Sequence, residues 1–146
     1  MTDFSVTLDL PHAPPALFRF LADPHNRPLW QGSLRAVRRV DGGEPRSGMR
    51  WRDVTKVGVR PEMEIVELTP YRVLAETGRW RGVEGFLTMT FTQTASGTRL
   101  TTEGRLAGRG PYAVAAALSR RLAPEAIRKD LLRASQILTA RGVTAG

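Results

Sequence analysis

The chain has 146 residues, of which 41% are hydrophobic and 25% are charged, with a formal net charge of +8 and no cysteine. This balance predicts a single folded domain over residues 1–146, and the lack of cysteine excludes disulfides, zinc–thiolate sites and thiol nucleophiles. No apolar run reaches the roughly 18 residues of a transmembrane span and no signal peptide is evident, so we expect a cytoplasmic protein.

The first predicted elements are a strand and a short helix. Apolar and polar residues alternate from Phe4 to Leu10, which is the period of a half-buried strand. Pro15 can open a helix over residues 16–22, and Asp23-Pro24 should end it because the residue before a proline disfavours helical backbone. A second short helix over residues 24–29 is also predicted.

Six further strands should follow, separated by turns that mostly contain glycine. They are predicted at Leu34–Val40, Met49–Val57, Val59–Leu68, Arg72–Trp80, Glu84–Thr94 and Arg99–Leu106. One antiparallel sheet of seven such strands would curve through its twist and would need a helix to cover its concave face.

The segment from Pro111 to Arg141 is the only long stretch with helical periodicity. Its apolar residues form two stripes that would face nearly opposite sides of one straight helix: Val114, Leu118 and Leu122, then Ile127, Leu131, Ala134 and Leu138. Because Pro124 lies between the stripes, we predict two helical pieces, residues 111–122 and 124–140, with a kink near Ala123. The first piece would form part of a cavity wall, the second would cover the sheet, and Gly142 would end the helix.

Element order and four local segments resemble the helix-grip superfamily, which includes polyketide cyclases, START lipid-transfer domains and birch-pollen-allergen proteins. The four matches are PPALFRFLADP (residues 14–24), Trp30 just before the second strand, EIVELTPYRVLAE (residues 64–76) and SGTRLTTEGRL (residues 96–106). The resemblance implies an α+β helix-grip fold, in which a seven-stranded curved antiparallel sheet wraps around a long C-terminal helix, with one or two short helices after strand 1. It also implies an apolar cavity between sheet and helix, but no universal catalytic motif.

Candidate catalytic residues are few. Seven acids fall in predicted strands, at Asp53, Glu62, Glu64, Glu67, Glu76, Glu84 and Glu103. Period two puts Glu67 on one face with Met63 and Ile65. An acid inside an apolar cavity would have a raised pKa and could transfer protons, and Glu76 and Asp53 are the first candidates. The alternative is that these acids pair with arginines on the outer face.

The two histidines, His12 and His25, lie in proline-flanked loops where we expect surface positions. No convergent carboxylate completes a two-histidine metal site, and there is neither a P-loop nor a G-x-G-x-x-G motif, so we expect no metal and no cofactor.

Large flat and flexible side chains should converge on the inner face of the sheet, where they would suit an adaptable apolar pocket. The ligand-binding candidates are Trp30, Trp51, Met63, Trp80, Met89, Phe91, Tyr112, Leu118 and Leu122. Trp30 and the loop at Pro111-Tyr112 would flank the entrance. The alternative is a solid core built from the same residues.

Three functions remain open at this stage. The first is binding of a small hydrophobic molecule, whether a lipid, an aromatic or a polyketide-like compound. The second is a polyketide cyclase or dehydratase that uses an inward carboxylate without an arginine partner. The third is an interaction module for an acidic protein or RNA, because 20 of the 22 basic residues are arginine. The arginines are scattered and lack interleaved aromatic residues, so we do not expect nucleic acid, and a homodimer is left open.

Overall fold

Seven strands and three α-helices make up the computed structural model, which describes residues 2–144. The strands are β1 (Phe4–Leu10), β2 (Leu34–Arg38), β3 (Arg50–Thr55), β4 (Glu62–Thr69), β5 (Val73–Trp80), β6 (Val83–Thr94) and β7 (Gly97–Gly108). The helices are α1 (Pro14–Ala22), α2 (Arg27–Trp30) and α3 (Ala113–Ala140), with 3₁₀ turns at Pro24–Asn26 and Gly110–Tyr112.

All seven strands form one antiparallel sheet in the order β1-β7-β6-β5-β4-β3-β2. The first strand pairs with the last over its full length, from Phe4 opposite Gly104 to Leu10 opposite Thr98. The long hairpin of β6 and β7 therefore lies between β1 and β5, and β1 and β2 are the two sheet edges. The predicted α+β helix-grip architecture is confirmed.

The hydrophobic core lies between the inner face of the sheet and helices α1 and α3. In β1, Val6, Leu8 and Leu10 are buried while the residues between them are exposed, as the period-two pattern predicts. Leu17 from α1 and Leu131 from α3 are fully buried against them. Each such side chain contributes about 1.5–3 kcal/mol by leaving water, which fixes both helices on the sheet.

The predicted division of the C-terminal helix into two pieces is wrong: α3 runs without interruption from Ala113 to Ala140, with Pro124 inside it. Proline removes one backbone donor, but packing at both ends keeps the segment helical. Ala116 is buried at the end of β7 beside Gly108, and Leu138 is buried in the main core. Tertiary contacts thus outweigh the local cost of Pro124.

The first apolar stripe of α3 faces solvent rather than a cavity. The exposed fractions of Val114, Leu118 and Leu122 are 78%, 58% and 62%. The inner face of this half instead carries small side chains, Ala116 and Ala123, in line with Ile127 farther along. Sequence periodicity predicted that the bulky residues form the buried face of this half of the helix, but the small residues occupy that face.

Two further predictions on side-chain direction are corrected. The pairing of β4 with β5 shifts between Ile65 and Glu67, so Glu67 is exposed instead of sharing the inner face with Ile65. His12 is fully buried, with Nε2 2.8 Å from Ser135 Oγ and Nδ1 3.2 Å from the Val143 carbonyl oxygen. His12 therefore ties the β1–α1 loop to the end of α3, whereas His25 is exposed as predicted.

Adjacent leucines in α3 provide a test of this packing. We expect Leu131→Ala to lower the free energy of unfolding by about 2–5 kcal/mol, because it leaves a cavity in the core. Leu132→Ala, at a side chain that is 43% exposed, is the matched control and should cost under about 1 kcal/mol. Urea unfolding of both variants measures the difference, and equal losses would contradict the placement of the helix.

Candidate functional site

A cavity of about 370 Å³ lies between the inner face of the sheet and the first half of α3. Its lining comes from β3 to β7, the loop before β4, and both α2 and α3. The main lining residues are Arg27, Asp53, Thr55, Val59, Met63, Glu76, Trp80, Val83, Phe86, Leu87, Leu106, Ser119, Ala123 and Ile127. Because Val83 and Phe86 are half-buried and Ser119 is exposed, the cavity is open to solvent on this side.

One end of the cavity is closed by a buried cluster of Arg27, Asp53 and Glu76. The Arg27 Nη1 atom donates to Glu76 Oε1 at 3.1 Å and to Oε2 at 3.0 Å, and Nη2 donates to Asp53 Oδ2 at 3.3 Å. The three residues come from α2, β3 and β5. Period two directs Asp53 and Glu76 inward together with Trp51 and Leu74, as the sequence predicted.

Two tryptophans hold the guanidinium of Arg27 in place. Its central carbon lies 5.2 Å from the ring centroid of Trp51 and 5.9 Å from that of Trp30, distances at which a cation attracts an aromatic face. The indole N–H of Trp51 donates to Asp53 Oδ1 at 2.9 Å. Asp53 is thus bonded on both oxygens, while Glu76 depends on Arg27 alone for the hydrogen bonds found in the described part of the chain.

The cluster sets one positive charge against two carboxyl groups. Burial works to lower the pKa of Arg27, but attraction to Glu76 and Asp53 outweighs it, so the pKa lies above its usual value. Burial raises the pKa of Glu76 and repulsion from Asp53 adds to it, against the opposing effect of Arg27. Burial in the cluster therefore favours the protonated form of Glu76 more than water does.

Asp130 in α3 is a third acid beside the cavity. Burial raises its pKa, against the hydrogen bond that its Oδ1 accepts from the Gly32 backbone N–H at 3.0 Å and against the nearby Arg133. Its position places three carboxyl groups, Asp53, Glu76 and Asp130, around the polar end of the cavity and its inner extension.

The structure brings together some of the predicted ligand-binding residues and not others. Met63 and Trp80 line the cavity. Trp51 and Phe91 are buried in the core, and Met89 lines an inner extension of the cavity. Trp30 is buried at this inner end instead of flanking the entrance.

The remaining three predicted ligand-binding residues lie away from the cavity lining. Tyr112 contacts the Trp80 ring edge-on, with centroids 6.1 Å apart. Leu118 and Leu122 point outward on α3, so their predicted place in the cavity wall is wrong.

Arg27 is the residue that sequence reasoning missed. It lies in the short helical segment between two prolines and could not be told from the other arginines by spacing. The only signal was indirect, since two inward acids on neighbouring strands require a buried cation to satisfy them. Gln31 and the small residue Ala123 also line the cavity and were not predicted.

The fold agrees with the comparisons with known proteins. The chain belongs to the family described as polyketide cyclase / dehydrase and lipid transport, whose profile matches residues 1–141. Among curated proteins, none matches the sequence significantly.

Solved structures similar to this chain share its fold at low sequence identity. Protein MLL2253 from Mesorhizobium loti is 22% identical with a TM-score of 0.75, over 94% of this chain and 96% of that one. Protein NE0264 from Nitrosomonas europaea is 17% identical with a TM-score of 0.71, over 95% of each chain. DynU16, a protein assigned to the dynemicin biosynthetic locus, is 17% identical with a TM-score of 0.68, over 97% of this chain and 48% of that one.

Within residues 2–144, none of the helices combines the length and apolar character that crossing a membrane requires. In the same residues, no three histidine or acidic side chains are grouped so that they could hold a metal ion.

The raised pKa of Glu76 predicts a pH-dependent stability. A carboxyl group that binds its proton more tightly in the folded state stabilises the fold below its ordinary pKa of 4.5, and this contribution is lost as pH rises through the folded value. The free energy of unfolding of the wild type, minus that of Glu76→Gln, should therefore fall as pH rises from about 4 to 8. Urea unfolding across this range measures it.

The matched control is Glu67→Gln, which makes the same chemical change at an exposed position of β4. Its difference from the wild type should vary much less with pH. If the Glu76 difference instead grew with pH, the ion pair with Arg27 would dominate over burial, and the pKa of Glu76 would lie below its ordinary value.

Proposed function

We propose that this protein binds a small hydrophobic molecule, such as a lipid, an aromatic or a polyketide-like compound, in the cavity between the sheet and α3. The observation that carries the proposal is the cavity itself, about 370 Å³ in volume and lined mainly by apolar side chains. This volume lies in the range of about 300–1,000 Å³ typical of small-molecule sites, which are apolar with a few polar groups at one end. The family's description, which includes lipid transport, supports the same class of ligand.

Binding would be driven by burial of the ligand against side chains that can adapt to its shape. Met63, Leu87 and Ile127 form much of the wall, and each ligand methylene that leaves water contributes about 0.8 kcal/mol. The buried Arg27 cluster at one end would orient the ligand rather than supply most of the affinity. A ligand would therefore enter from the open side near Ser119 and place its polar end toward Arg27.

A second candidate is a cyclase or dehydratase reaction on a polyketide-like substrate. Both inward acids pair with Arg27, so neither is the unpaired carboxylate that the sequence argument required. The raised pKa of Glu76 nevertheless supports a general acid at the cavity wall. For a compound found to bind, conversion that is lost in Glu76→Gln while binding persists would support this reaction, and unchanged conversion would exclude Glu76 as its acid.

The third candidate, an arginine-rich surface for an acidic protein or RNA, has less support. Surface arginines pair with acids along the strands, as in Arg50–Glu64 at 3.2 Å and Arg99–Asp9 at 2.9 Å, which gives the surface mixed charge. Binding of single-stranded RNA or polyglutamate that weakens steeply between 50 and 200 mM salt, as expected of an electrostatic contact, would favour this candidate. The homodimer left open by the sequence stays a prediction.

Two adjacent residues of α3 test the cavity as the binding site. Ala123→Phe fills the cavity, whereas Leu122→Phe adds the same side chain on the outer face, where Leu122 is 62% exposed. We expect the affinity for the neutral fluorophore N-phenyl-1-naphthylamine to fall at least about tenfold in Ala123→Phe and to stay within about twofold in Leu122→Phe, because only the first removes buried contact area. Fluorescence titration measures both, and circular dichroism checks that both variants fold. Equal affinities, or no binding by the wild type, would contradict the proposal.

A further inference from the structure

The inner extension of the cavity, which lies past the Arg27 cluster, is a smaller chamber, and we call it the inner chamber. This chamber has a volume of about 80 Å³ and shares Arg27, Glu76 and Ile127 with the main cavity. Its far end is closed by Trp30, Met89 and Leu131, which are all buried. A chamber of this size has room for a group of a few heavy atoms, so it can receive one end of a ligand.

Two hydrogen-bond donors of the chamber walls have no acceptor among residues 2–144. They are Arg27 Nε and Trp30 Nε1, and both side chains are only 4% exposed. The other donors of Arg27 that face Asp53 and Glu76 are already bonded. Buried donors are rarely left unpaired, because no new hydrogen bond then compensates for the hydration that they lose. An acceptor in the chamber would therefore be strongly favoured.

The charges around the chamber indicate that this acceptor is neutral. A ligand carboxylate or phosphate would enter beside Glu76 and Asp130, with Asp53 behind them. Arg27 is already paired with Asp53 and Glu76, and Arg133 is already paired with Asp130. A carbonyl oxygen avoids this repulsion, and its two lone pairs allow it to accept two hydrogen bonds.

We propose that the inner chamber receives the carbonyl oxygen of a neutral, otherwise apolar ligand, which accepts hydrogen bonds from Arg27 Nε–H and Trp30 Nε1–H. This inference rests on the proposed function and names the chemical class of its ligand: a ketone, quinone, enone or ester with the carbonyl at one end. Hydrocarbons would fit the main cavity without reaching these donors, and carboxylic acids would be disfavoured.

Three compounds of nearly identical shape separate these classes. They are 2-acetylnaphthalene, 2-isopropenylnaphthalene and 2-naphthoate, which differ in presenting a carbonyl, a methylene or a carboxylate at the same position. By calorimetry at pH 7, we expect the ketone to bind about five- to tenfold more tightly than the isopropenyl compound, as one or two added hydrogen bonds predict. The carboxylate should bind more weakly than the ketone.

Trp30→Phe tests the donor directly, because it removes the indole N–H and keeps an aromatic ring in the core. This variant should lose most of the preference for the ketone while binding the isopropenyl compound as before, which also shows that it is folded. Trp80→Phe, which removes an indole from the main cavity, is the matched comparison. It is expected to weaken both compounds together and to keep their ratio.

The outcomes distinguish the inference from the function on which it rests. If the isopropenyl compound binds and the ketone binds no better, the cavity binds hydrophobic molecules but the carbonyl site is refuted, and ordered water is the better occupant of the chamber. If 2-naphthoate binds most tightly, the acceptor is an anion and the inference is also refuted. If none of the three compounds binds the wild type, both the inference and the proposed function are contradicted.

Discussion

The size of the side chains along one face of α3 is the constraint on which the rest of this structure depends. The second half of the helix buries Leu131 and Leu138 against the sheet, which fills the space between them. The first half presents Ala116 and Ala123 to the same side. Both halves belong to one continuous helix, and small side chains reach less far toward the sheet than large ones. The cavity is the volume that this difference leaves open.

The end of β7 packs closely against the start of α3. This packing keeps the half of α3 that carries small side chains from moving down onto the sheet. Gly108 lies so close to the helix that an added Cβ would come within 2.8 Å of Ala116 Cβ, nearer than side chains normally approach. This contact fixes the start of α3 at the edge of the cavity, while the core fixes its end. The helix therefore spans the cavity and is held by packing at both of its ends, so the cavity wall that it forms is not a mobile loop.

Burial of the charged Arg27 cluster is energetically unfavourable for a domain of this size. Removing a charged group from water costs several kcal/mol, and an ion pair offsets that free energy only when its hydrogen bonds are complete. Here one guanidinium serves both Asp53 and Glu76, and two donors beside it remain unpaired among the described residues. Replacing a buried ion pair by apolar residues is often neutral or stabilising, so this arrangement is consistent with our proposal that the cluster serves a ligand. Polar groups at the end of an apolar cavity give orientation and selectivity rather than affinity.

Much of the fold could be predicted because its signals are local and repeated. Alternation in Phe4–Leu10 and in the β6–β7 hairpin set the strand directions, and the inward direction of Asp53 and Glu76 followed from the same period. The bulge that turns Glu67 outward changes that period within β4. It could not be predicted, because no residue type in the segment indicates a bulge.

The direction of α3 and the role of Arg27 depend on long-range contacts. Leu118 and Leu122 were predicted to face the cavity because bulky apolar residues are usually buried, but small residues lie on the inner face of the helix. Arg27 looks like any other arginine until α2 is placed over β3 and β5. His12 is similar, because its partners Ser135 and Val143 are more than 120 positions away in the chain.

The central claim is that a guest molecule occupies the space beneath the small-residue half of α3, and methyl NMR tests it most directly. With 2-acetylnaphthalene added to the labelled protein, we predict shifts of the methyl signals of Ala123 and Ile127, which line the cavity, and little change for Leu118 and Leu122 on the opposite face of the same helix. Shifts confined to the outer leucines would mean that the compound binds the exposed stripe, and that result would contradict the account.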